Sequence, residues 1–61
     1  MSKATELQQE VAELKKELAL LNQSLSKTSD ANERKELSES ISEIKSDIAE
    51  AEAEINELSQ Q

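Results

Sequence analysis

Any chemistry here must rest on serines, carboxylates and ammonium groups, because the chain holds neither histidine nor cysteine. Nine serines are present. Activating a serine hydroxyl ordinarily needs an imidazole or another positioned base beside it. A Ser–Lys dyad exists on paper, but the serines cluster at positions expected to face water. General acid–base work also needs a water-excluding pocket, which a thin rod does not form. The expectation is no enzyme and no catalytic residue. Glu36, Glu39, Glu43 and Asp47 recur at helical spacing and could offer oxygens to a metal. Hard cations prefer convergent oxygens on a shaped loop, and no glycine-containing calcium loop is present. Without Cys or His the usual zinc ligands are missing too. A solvated helix face is the expected role of these acids, with no metal and no cofactor. Ser40 and Ser42 beside Glu43 could accept a phosphoryl group, a weak signal in so common a context.

The elements that must carry these side chains are constrained by composition. The chain has 61 residues and no glycine, proline or aromatic residue. One domain is the most this length allows, and chains so short often need a disulfide, a metal or association with another chain. With the first two removed, association remains. The missing helix breakers fit long uninterrupted helices. The missing aromatics take away the stacking platforms of single-strand nucleic-acid binders and the usual interface anchors, so any interface is aliphatic and polar. The net charge of −7 repels phosphate backbones and anionic membranes. The longest apolar run, Leu18 to Leu21, cannot span a bilayer, and the N-terminus shows no signal-peptide core. A protein partner, no nucleic acid, no membrane and a cytoplasmic location are the expectations. The initial Met suggests a complete or an engineered chain.

The apolar pattern decides the fold class. Ala4, Leu7, Val11, Leu14, Leu18, Leu21 and Leu25 alternate in steps of three and four, as do Leu37, Ile41, Ile44, Ile48, Ala51, Ile55 and Leu58. Both runs are the a/d seam of a heptad repeat. In the first run Leu25 falls at a; in the second Leu37 falls at d. A continuous register would put Asn32, Lys35 and Glu39 on the seam, so one straight helix would turn its second stripe far from its first. A break between the runs is the simpler reading. Ser26-Lys27-Thr28-Ser29-Asp30 holds residues that compete with helical hydrogen bonds. Asp30-Ala31-Asn32-Glu33 then reads as a capping box, Asp30 accepting the Glu33 amide proton and Glu33 reaching back to Asp30. Lys27 suits a helix C-terminus, whereas Asp30 and Glu33 suit an N-terminus. The turn and cap residues are thus Ser29, Asp30 and Glu33. A single hairpin over 1–61 is expected, with helices at about 3–27 and 31–60 and a turn at about 28–30.

The seam residues also mirror one another. Pairing residues whose numbers sum to 62 gives Leu25–Leu37, Leu21–Ile41, Leu18–Ile44, Leu14–Ile48, Val11–Ala51, Leu7–Ile55 and Ala4–Leu58. Every pair is apolar, and each a meets a d. That is the layer pattern of an all-α, antiparallel two-helix coiled-coil hairpin folded at Ala31. The turn resembles that of the Rop family of plasmid RNA-binding regulators, hairpins that dimerise into four-helix bundles. The family reads RNA with a basic, Phe-containing first helix. This chain has no Phe and a neutral first helix, so the resemblance implies the geometry and not RNA binding.

Charge is unevenly spread. Residues 1–29 carry four Lys and four Glu; residues 30–61 carry Arg34, Lys35 and Lys45 against ten acids. In a hairpin the loop half, residues 15–45, balances six bases with six acids, and the excess falls at the open end. Glu50, Glu52, Glu54 and Glu57 there have the wrong sign for a helix C-terminus. They are a solvated end or a surface for a basic partner. Along the seam, the g flank offers Glu10, Glu17, Asp47 and Glu54, and the e flank Lys15, Lys45, Gln8, Asn22, Ser38 and Glu52. This register is expected to bring Glu17 near Asp47 and Lys15 near Lys45, a weak repulsion at a surface. A basic flank could dock on the acidic flank of another hairpin. A lone two-helix seam leaves each Leu half wet, and a dimer of hairpins forming a four-helix bundle would bury the other side. Leu20 lies off the seam at c, and Ala12, Ala19, Ala49 and Ala53 allow close approach.

The function these features point to is a non-enzymatic interaction or assembly module that self-associates, a dimer being favoured, or docks a partner helix. Two alternatives are an acidic inhibitor occupying a basic nucleic-acid-type site on a target, and a designed scaffold without function.

Overall fold

The computed structural model describes residues 2–60. Two helices, α1 (Lys3–Lys27) and α2 (Ala31–Ser59), pack against each other as a hairpin; among the described residues there is no strand. The molecule is 47 Å long and 16 × 12 Å across. One straight helix of this length would reach about 90 Å, so the extent follows from the fold-back at residues 28–30.

Each helix starts where a side chain can take the orphan amides of the first turn. Ser2 caps α1, its Oγ accepting from the Thr5 amide at 3.1 Å and lying 2.9 Å from the Thr5 hydroxyl. Asp30 caps α2, its Oδ1 accepting from the Asn32 and Glu33 amides at 2.9 and 3.1 Å. The reciprocal arm of the capping box differs from the expectation. Glu33 takes the Thr28 hydroxyl proton at 2.6 Å, and the same Thr28 oxygen accepts from the Asp30 amide at 3.3 Å. Thr28 thus relays the contact between Glu33 and Asp30. The extended backbone at Thr28 and Asp30 places the threonine hydroxyl between the two groups. Ser29 stands between them in the turn, exposed.

The helices meet along their apolar stripes. Leu7, Val11, Ile44, Ile48 and Ala51 form the buried cluster, with Leu14, Leu18, Leu21, Ile55 and Leu58 packed against it. Ile41 is buried as well, and Ala4, Leu25 and Leu37 are half-buried. Among the described residues no side chain is completely shielded. The reason is geometric: in a two-helix layer each seam residue is covered by its partner helix and the flanking stems, while its remaining side faces water. α2 contributes four of the six buried residues. Three of those are Ile, whose branching at Cβ limits χ1 and holds more mass close to the backbone.

One more layer exists than the apolar pairs describe. Thr28 and Arg34 also sum to 62, occupying the next d and a positions of the seam. The Arg34 guanidinium donates from Nη1 to the carbonyl oxygens of Leu25 at 2.8 Å and of Thr28 at 2.9 Å. Leu25 lies in the last turn of α1, whose final carbonyls lack intrahelical partners. A cation from the following helix therefore caps α1 and meets the negative end of its dipole. The Thr28 amide adds a bond to the Ser24 carbonyl at 3.2 Å.

Candidate functional site

What the seam leaves over is two long flanks and two ends. Every acidic and basic side chain among the described residues is exposed, and no polar group there is buried. No three acids converge so as to hold a metal ion among those residues. The surface chemistry is therefore that of solvated charges set beside half-covered aliphatic groups.

On the e flank, a groove of about 390 Å³ is lined by Gln8, Val11, Glu52, Ile55, Asn56 and Ser59. Beside it, Lys15 Nζ lies 3.4 Å from Glu52 Oε2. The register expectation named Lys45 as a neighbour of Lys15; its ion-pair partner is Glu52. The backbone register alone sets Lys15 closer to the level of Lys45 than to that of Glu52. Side chains on a helix, however, lean toward its N-terminus. In an antiparallel pair those leans are opposed, so Lys15 and Glu52 tilt toward each other. With both ends of the pair more than half exposed, its contribution is no more than a few tenths of a kcal/mol.

The g flank has the opposite character. Near the open end a smaller groove of about 150 Å³ has Leu7 and Ala51 as its floor and Glu10, Asp47, Glu50 and Glu54 around it. Toward the turn a second g-side groove of about 390 Å³ is lined by Ser24, Thr28, Glu33, Glu36, Leu37 and Ser40. No basic side chain lines either g-side groove.

Of the four acids of the open end, Glu52 stands apart from the other three. Glu50 and Glu54 share the g-side groove with Glu10 and Asp47, Glu57 follows at c two turns beyond Glu50 on the same side, and Glu52 lies on the e flank against Lys15. Counting acids along α2 missed this, because residues two apart on a helix point in different directions. The heptad letters separate them: Glu54 and Asp47 at g, Glu52 at e. Arg34 was missed for another reason. It was counted as one charge of the loop half, although the sum of 62 extends to it and Thr28. Leu20 is 59% exposed, the one large apolar side chain so placed among the described residues.

Comparison with known proteins places this rod in context. The family model described as effector-associated domain 9 matches residues 1–58. Neither the curated proteins nor the solved structures yield a match.

Proposed function

The chain belongs to the effector-associated domain 9 family, helical domains of multidomain effector proteins, and on that premise we propose that it is a non-enzymatic protein-interaction module. In this reading the seam is an antiparallel coiled coil that builds the rod, and the flanks choose what the rod meets. The observation that carries it is the split between interior and surface. Among the described residues the interior is aliphatic only, and every ionisable side chain stands in water beside a half-covered seam. An acid or base for catalysis would need burial or a desolvated partner to set its pKa to the task, and no such environment exists among the described residues. The same half-covered seam favours association, because a second hairpin removes the remaining apolar surface from water.

The partners we propose are proteins, first of all a further copy of the chain, the smallest product being a dimer of hairpins arranged as a four-helix bundle. Nucleic acid and membranes are not partners in this proposal, for the net charge of −7 opposes both. No helix among the described residues is long and apolar enough to cross a membrane, and we place the protein in the cytoplasm. Sedimentation equilibrium from micromolar to millimolar concentration tests the central claim. A mass that rises with concentration supports it, and a monomer throughout refutes self-association.

A second reading has its own observation. The g-side groove, four carboxylates around an aliphatic floor, suits the Lys and Arg stems of a basic surface, as in an inhibitor covering a nucleic-acid-type site. Such binding would weaken steeply as salt screens the charges. Aliphatic docking that ignores salt would exclude it.

A further inference from the structure

The two flanks of the rod differ in more than composition, and the difference determines how copies can pack. On the e flank Lys15 and Lys45 stand against Glu52, for a net of +1; on the g flank Lys3 stands against Glu10, Glu17, Glu33, Asp47 and Glu54, for a net of −4. Among the described residues only Lys15 and Glu52 form an ion pair, so Lys45 and the g-flank carboxylates Glu10, Glu17, Asp47 and Glu54 have no ion-pair partner there.

We infer that copies of the chain associate through unlike flanks, the e flank of one rod seated on the g flank of the next. This rests on the self-association proposed above and specifies its geometry. Three pairings of flanks are possible. Two g flanks face to face bring ten carboxylates together against two lysines. Two e flanks bring four lysines against two glutamates. Only e on g sets a net positive surface against a net negative one. Both surfaces have apolar ground to cover: half-buried Ile55 lines the e-side groove, and half-buried Leu37 lines the g-side groove toward the turn. An isologous pair would cover one flank of each rod and leave the other as wet as before. Unlike-flank packing covers both flanks of every interior copy.

The symmetry consequence is specific. A contact between different surfaces is heterologous, so it continues from copy to copy until it closes a ring or runs on as a stack. Assembly is not limited to two.

The test uses two charge-reversed chains, K15E/K45E on the e flank and E17K/D47K on the g flank. All four positions are exposed, so helical content and melting should stay close to those of the original chain, as circular dichroism will show. In sedimentation equilibrium the unchanged chain should pass beyond the mass of two copies. Each variant alone should associate about tenfold more weakly, two flank pairs having turned from attraction to repulsion. Mixed in equal amounts, the variants should recover association, since each then meets a complementary flank on both sides. An original chain that stops at two copies, with E17K/D47K dimerising as strongly as the original, overturns the unlike-flank contact while self-association stands. A chain that is monomeric at every concentration overturns both.

Discussion

The two ends of this hairpin share one seam but are held by different physics. At the turn, Asp30 caps α2, Thr28 relays between Asp30 and Glu33, and Arg34 closes the carbonyl end of α1. Each group there has a partner of the right sign. At the open end α2 runs to Ser59 with no basic residue in its last turn and Glu57 within it. Its closing bonds are backbone and serine contacts, from the Gln60 amide to the Glu57 carbonyl at 3.2 Å and from the Ser59 hydroxyl to the Asn56 carbonyl at 2.8 Å. The dipole of α2 is thus matched at its start and opposed at its finish. A rod built this way has its polar ties at the turn and its opposed dipole, with the net charge, at the open end.

The contrast can be broken or sharpened by mutation, beginning with the layer both ends share. Ile48→Ala, in the buried cluster, should cost about 2–4 kcal/mol, measured by thermal or urea unfolding, which for so small a domain should abolish most of the folded population. A cost under about 1 kcal/mol would mean that the seam collapses around the gap and that neither end depends on it. Next come the ties of the turn. Asp30→Ala should cost about 1 kcal/mol through the lost cap. Arg34→Met, which keeps the stem and removes the guanidinium, should cost about the same through the uncapped carbonyls. If both together cost no more than either alone, the turn acts as one coupled unit, as the run of contacts from Asp30 through Glu33 and Thr28 to Arg34 suggests. The smallest effect is expected at the open end, and with the opposite sign. Glu57→Lys should stabilise by a few tenths of a kcal/mol, an increment that fades at high salt. A stabilisation rivalling the cost of Asp30→Ala would show that the open end, not the turn, governs the stability of the rod.

Much of the hairpin is legible in the sequence for a definite reason. Steps of three and four admit only a helix with one apolar face, and the jump in register between Leu25 and Leu37 cannot be carried by one straight helix. The cap at Asp30 is a local pattern, since its acceptor and the amides it serves lie within three residues. The Glu33 arm was less legible. A glutamate can reach several donors at a helix start, and only the path of residues 28–30 made the Thr28 hydroxyl the nearest. The family match adds that this rod is an effector-associated domain, which no spacing in this chain could state.

The sequence by itself determined an all-helical chain, the place where it folds back, and the imbalance of charge between its halves, because each follows from periodicity, local capping or counting. The tertiary structure alone decided which charged groups meet. Lys15 found Glu52 as its ion-pair partner, because opposed side-chain leans outweigh the difference in backbone level. Arg34 reached back nine residues to the Leu25 carbonyl, because the fold-back put an unsatisfied helix end beside it. The open-end acids were divided between two flanks for the same kind of reason: direction in space, not order along the chain, sets the neighbours of a charge.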